Sequence, residues 1–182
     1  MLWHGEQRVC SLPHLSQFCR HNHHTILGHE IVATIAQSHL DPDILNAVCS
    51  ILGTDSFDGD SERLPDAAPC YLSSVATWAD KIRFHARWSA PLHYVGGVGD
   101  FPPSNCLFPG PDGWEGKDLA NVLDAINNVT TILTGGAQDQ AQEALKFLIH
   151  FIGDMHQPLH LTGRDRGANG VKVSFDGKGT ST

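Results

Sequence analysis

His150-Phe151-Ile152-Gly153-Asp154-Met155-His156-Gln157-Pro158-Leu159-His160 closes the most regular helical stretch of the chain. That stretch runs from about Asp139 to His156, and Pro158 stops it. His150 and Asp154 are four residues apart, so on a helix they share a face and can bind one metal ion. Around them Leu145, Phe147, Leu148, Ile149, Phe151, Ile152 and Met155 make the helix apolar nearly all round, the composition of a buried helix. A buried carboxylate beside a buried imidazole costs on the order of several kcal/mol without a partner. A hydrogen-bonded His–Asp pair in a core would supply one, and for an i, i+4 pair alone that is the better reading. His160, just beyond the proline, adds a third donor and weighs toward a metal. His156, two residues from Asp154, points elsewhere and is assigned to structure or surface.

Upstream the pattern is also helical. From Thr25, the residues His29, Val32, Ala33, Ala36 and Leu40 fall on one helix face. Asp41-Pro42 ends that helix and opens the next, with Asp41 as cap, Pro42 in the first turn and Gly53 as the close. Residues 53 to 70 read as a loop rich in Asp, Gly, Ser and Pro. A third helix is expected from about Ser73 to Trp88, capped by Ser73 or Ser74. A long loop covers residues 96 to 116, and helical patterning returns from about Lys117 to Leu133. The tail Val171-Lys172-Val173-Ser174-Phe175 alternates like one strand of a hairpin whose partner is not present. Residues 1–24 differ from everything after them: they mix Trp3, Pro13, two cysteines and His21-Asn22-His23-His24 without a period, and are expected to be disordered. The sum is a mostly α domain over residues 25–182.

At 182 residues, 41% hydrophobic and 18% charged, the chain is long enough for one domain with a real core and too short to expect two. No apolar run approaches a bilayer span. The net charge of −8 is the wrong sign for a basic groove that grips nucleic acid, so any nucleic-acid partner would need bound cations. Five cysteines (Cys10, Cys19, Cys49, Cys70, Cys106) contain no CxxC pair, which argues against a cysteine zinc knuckle, and their pairing is left open. The sequon Asn128-Val129-Thr130 fits a secreted glycoprotein, yet the first 24 residues carry no apolar segment of a secretory signal.

Asp80 and Arg83, in Trp78-Ala79-Asp80-Lys81-Ile82-Arg83, would alone be a solvated i, i+3 ion pair. His93, in Ser89-Ala90-Pro91-Leu92-His93-Tyr94, would alone be an ordinary core or surface histidine. His29 lies on the apolar face of its helix directly after Gly28, which would let another backbone come close. Together, four histidines (His29, His93, His150, His160) and two aspartates (Asp80, Asp154) on or beside separate apolar helices form a donor set typical of zinc sites built in a helix bundle.

The ordered motifs Leu27-Gly28-His29, Trp78-Ala79-Asp80 with Arg83, Pro91-Leu92-His93-Tyr94 and His150 to His160 resemble the S-one/P-one nuclease family (nuclease type I), over about residues 25 to 177. The resemblance implies an all-α zinc-binding bundle of the phospholipase C and nuclease type I kind, secreted and monomeric, with three zinc ions at the base of a cleft. By position, Asp80, His93, His150 and Asp154 would hold one zinc. Asp154 would bridge to a second bound by His29, and His160 would ligate the third. Arg83 would steady charge on the phosphate and act in catalysis with Asp154, Tyr94 would stack on a base, and Asn169 would contact phosphate. The implied reaction is hydrolysis of phosphodiesters in single-stranded DNA or RNA to 5′-phosphates.

The sequence departs from that pattern. The family's N-terminal Trp, whose α-amine binds zinc, is His24 here, and His23 or His24 is a poor substitute. A family carboxylate is Gly96 here, and the usual Gly-Gly-Asn is Gly167-Ala168-Asn169. A later Asn-Leu-His segment is absent, which makes the bundle incomplete at its C-terminus and leaves one fully liganded zinc site. A truncated or mis-assembled gene model of a secreted nuclease is favoured over a short paralogue that binds zinc without catalysis. A zinc phospholipase C-like phosphodiesterase is a further alternative.

Overall fold

The structure is a computed structural model that describes residues 23–53, 70–96, 120–161, 165–175 and 178–181. Residues 1–22, and with them most of the atypical N-terminal segment, lie outside the described residues, as do 54–69 and 97–119. So do Cys10, Cys19 and Cys106.

Among the described residues five α-helices carry the domain: α1 (His23–Ser38), α2 (Pro42–Leu52), the short α3 (Trp78–Ile82), α4 (Val122–Thr134) and α5 (Gln138–Met155). Three 3-10 helices, Leu72–Ser74, Arg87–His93 and Pro158–Leu161, join them. α5 is the axis, packed against α1, α2, α3 and α4. Its Leu145 belongs to a core formed with Ala33, Leu52, Cys70, Leu72, Val75 and Ala76. Its Ala144, Phe147 and Phe151 belong to a second, with Ala79, Val95, Val122, Ala125 and Val129. The apolar periodicity that wraps α5 is therefore used on two sides at once. Among the described residues no helix is long and apolar enough to cross a membrane.

Helix ends follow local chemistry. Asn121 caps α4 by accepting from the Asp124 N–H at 3.0 Å. Gly53, at φ 69°, closes α2. Asp41 occupies the N-cap position of α2 but makes no side-chain cap bond, so the start of that helix rests on Pro42. Cys49 and Cys70 form a disulfide that ties α2 to the 3-10 helix Leu72–Ser74 across a sequence separation of 21.

Three expectations need correction. The single helix from Ser73 to Trp88 is instead a 3-10 turn, the five-residue α3 and a second 3-10 helix that contains Pro91. Neither serine is a cap: Tyr71 and Thr77 hold the N-cap positions of the first two pieces, Ser74 Oγ donates to the Tyr71 carbonyl, and the Ala76 carbonyl accepts from His150. The tail strand does have a partner. β1 (Lys172–Phe175) pairs antiparallel with β2 (Lys178–Ser181), Lys172 opposite Ser181, and β2 escapes a hydrophobicity reading because it has no apolar alternation. Finally, the α1 face is not uniformly buried. His29 and Ala33 are inside, but Ala36 is exposed, as are Leu27, Ile31 and Ile35 on another side of the helix.

Candidate metal centre

Asp154 stands among four imidazoles, and its two oxygens divide them. Oδ2 lies 3.0 Å from His93 Nδ1 and 3.3 Å from His150 Nε2. Oδ1 lies 3.4 Å from His29 Nε2 and 3.5 Å from His160 Nε2. Asp80 Oδ1 is 3.9 Å from His150 Nε2 and the same distance from Arg83 Nη1. Five elements deliver these groups: α1 brings His29, α3 Asp80, the 3-10 helix Arg87–His93 its last residue, α5 both His150 and Asp154, and the 3-10 helix Pro158–Leu161 His160.

Backbone carbonyls set two of the rings. His150 Nδ1 donates to the Ala76 carbonyl at 2.7 Å and His160 Nδ1 to the Gly167 carbonyl at 2.8 Å. A carbonyl only accepts, so each ring carries a proton on Nδ1 and turns Nε2 toward Asp154, where it donates when the ring is protonated and offers a lone pair to a cation when it is neutral. His150 Nε2 also lies 2.9 Å from His93 Nδ1, a spacing that calls for a shared proton or a shared cation. His29 stacks on His150 with centroids 4.1 Å apart. His29, His93, His150 and Asp154 are all buried, yet His29 Nδ1 and His93 Nε2 have no hydrogen-bond partner among the described residues.

Burial drives the His150 pKa down to about 4, with the neighbouring charge on Asp154 pulling the other way. Burial would raise the Asp154 pKa, but hydrogen bonds from His160, His29 and His93 and the charge of His150 hold it well below the usual carboxylate range. Burial would lower His160, and the hydrogen bonds to Asp154 and the Gly167 carbonyl outweigh it, so that pKa is raised. The centre is thus a buried carboxylate kept ionised by imidazole N–H groups, and a cation would take the place of those protons between the ring nitrogens and the carboxylate oxygens. Such a set of oxygen and nitrogen donors suits a divalent transition metal. Two groups could each hold an ion, His29 with His150 and Asp154, and Asp80 with His93 and His150, their donor atoms all within 4.8 Å of one another.

The family profile of the S1/P1 nucleases matches residues 25–181. The chain belongs to the S1/P1 nuclease family. Nuclease P1 of Penicillium citrinum is 35% identical over 158 residues, 83% of this chain and 52% of that protein. Nuclease S1 of Aspergillus oryzae is 37% identical over 161 residues, covering 85% and 50%. Endonuclease 2 of Arabidopsis thaliana is 37% identical over 162 residues, covering 81% and 49%. The chain spans about half the length of the curated relatives it matches.

In this S1/P1 chain the six residues singled out as ligands come together in one place, with His150 common to both donor groups and His160 near Asp154. Arg83 is half exposed beside Asp80, its guanidinium over the Phe84 ring at 5.4 Å. Tyr94 follows His93 and packs against Gly167, where an added Cβ would stand 2.6 Å from Tyr94 Cβ. Asn169 is exposed and donates one amide hydrogen to the Arg166 carbonyl. His156 is exposed, its Nδ1 donating to the Ile152 carbonyl. The side chains of His23 and His24 lie outside what is described.

Sequence reasoning missed three contributors. The carbonyls of Ala76 and Gly167 orient two rings, and a backbone group leaves no mark in residue type. The third is a glycine. Gly28 was expected to admit a close backbone, but among the described residues a Cβ there would meet nothing within 4 Å, whereas one at Gly153 would strike His29. The signal for Gly153 was a glycine inside an otherwise apolar helix. The turn that presents the Gly167 carbonyl is itself unusual. Asp165, Arg166, Gly167 and Ala168 have φ of 47°, 58°, 67° and 65°, a run in the left-handed region that three non-glycine residues occupy at a cost.

Proposed function

We propose that this chain acts as a zinc-dependent endonuclease that hydrolyses phosphodiester bonds of single-stranded DNA and RNA and leaves 5′-phosphates. The observation that carries this is Asp154, a buried carboxylate whose two oxygens face two different pairs of histidines. The residues that would hold zinc are Asp80, His93, His150 and Asp154 for one ion, with His29 and Asp154 toward a second and His160 toward a third. Imidazole and carboxylate together favour zinc over magnesium. When bound, zinc supplies Lewis acidity and concentrated positive charge to the phosphate, which a chain of net charge −8 otherwise lacks.

The protein's own groups have separate tasks in this reading. Asp154 stays ionised and holds the donors in register. Arg83, free to extend from its exposed position, neutralises charge on the phosphate. Tyr94 offers a ring on which an unpaired base stacks, and a duplex hides the faces of its bases, which sets the single-strand preference. Asn169 has a second amide hydrogen for a phosphate oxygen. The Cys49–Cys70 disulfide supports an oxidising, secreted setting, and the chain is taken as a monomer.

Zinc per chain by elemental analysis, followed by release of 5′-mononucleotides from heat-denatured and duplex DNA, tests the proposal. Bound zinc with cleavage of the denatured substrate, abolished by a chelator, is the expected result. Zinc without cleavage would make this a metal-binding chain without catalysis. Phosphocholine released from lecithin instead would move it to the phospholipase C type.

A further inference from the structure

Gly153 lies in the last turns of α5, between Ile152 and Asp154. A glycine inside a helix costs about 1 kcal/mol relative to alanine, so the position calls for a reason. A Cβ at Gly153 would stand 2.1 Å from His29 Nδ1, 2.9 Å from its Cε1 and 3.1 Å from its Cγ. Carbon and nitrogen atoms in contact sit at about 3.5 to 4 Å, so one of the two would have to move. His29 has no easy way to do so. It is only 5% exposed, its ring is stacked on His150 with 15° between the planes, and its Nε2 faces Asp154 Oδ1 at 3.4 Å.

We propose that Gly153 is the positioning residue for His29: its bare Cα is the seat on α5 that lets the ring from α1 reach Asp154. Among the described residues the ring has no carbonyl partner of the kind that orients His150 and His160, since its Nδ1 is buried without a hydrogen bond to any of them. Packing does for His29 what a hydrogen bond does for the other two. An alanine in the seat would push the ring away from Asp154 and open the contact between α1 and α5. The consequence for metal binding rests on the zinc reading above, while the steric seat does not.

The test compares the full wild-type chain with Gly153→Ala, His29→Ala and the double variant. Gly→Ala at an ordinary helical site raises the melting temperature by about 1–4 °C. In chelator-treated protein, Gly153→Ala is expected to lower Tm in the wild-type background and to raise it in the His29→Ala background. A rise in both backgrounds would overturn the proposal. Should Gly153→Ala fail to fold, recovery of folding in the double variant is the same reversal, and failure of both variants to fold counts against it.

Calorimetric titration with zinc gives the second readout. Gly153→Ala and His29→Ala should weaken binding to a similar degree, roughly 10-fold or more, and the double variant should be no weaker than His29→Ala. Wild-type affinity in Gly153→Ala where His29→Ala has lost it would overturn the proposal. If His29→Ala itself binds zinc normally, the ligand role of His29 falls, and the sign of the Tm change alone decides the seat.

Discussion

Burial holds the His150 imidazole at a pKa of about 4, against 6.5 for a free ring. Between those values the unfolded chain takes up a proton that the folded chain refuses. The stabilising contribution is therefore complete above pH 6.5 and is lost as pH falls toward about 4, by up to about 3 kcal/mol. His160, with its raised pKa, acts in the opposite sense: its contribution is full below pH 6.5 and is lost as pH rises through its folded-state value. The melting temperature of chelator-treated protein, scanned from pH 4 to 8, should fall on the acid side. A flat acid limb would mean that His150 is solvated. At this scale the sequence was informative where spacing itself places donors, as for His150, Asp154 and His160. His29, Asp80 and His93 each looked ordinary alone, because a ligand contributed by a separate helix has no local partner to betray it. Only their order along the chain marked them.

The helices α1, α2 and α5 follow from apolar period and end chemistry, within a few residues of where the sequence put them, whereas α4 starts at Val122 instead of about Lys117 because Asn121 caps it. Failures came where tertiary contacts overrode local preference: the Ala76 carbonyl turned to His150 instead of continuing a helix, and β2 paired without an apolar pattern. Two elements invite stability tests. Arg166 is exposed at φ 58°, so Arg166→Gly should stabilise the chain by about 1 kcal/mol, read as a higher urea midpoint. A lower midpoint would mean that the turn owes its shape to the arginine side chain. The Cys49–Cys70 crosslink closes a loop of sequence separation 21. Replacing both cysteines with alanine should cost about 3 kcal/mol, also visible in the urea midpoint, and an unchanged value would show that the unfolded chain is already held compact.

Because α5 lies in both cores and carries two of the site residues, folding and site assembly are the same event for the molecule. Its formal charge of −8 gives the molecule no net attraction for a polyanion. On the proposed function, chelation should weaken binding of a labelled single-stranded oligonucleotide by at least about 10-fold, measured by fluorescence anisotropy at fixed salt. Binding that survives chelation would locate a basic surface that the charge count hides. A carboxylate that serves two sets of donors also ties their occupancies together. Whatever factor a first cation imposes on the affinity for a second, by ordering Asp154 or by repelling like charge, the second must impose on the first. On the proposed reading the sign of that shared factor decides the filling order: a favourable one loads both positions together, an unfavourable one makes each cation displace the other.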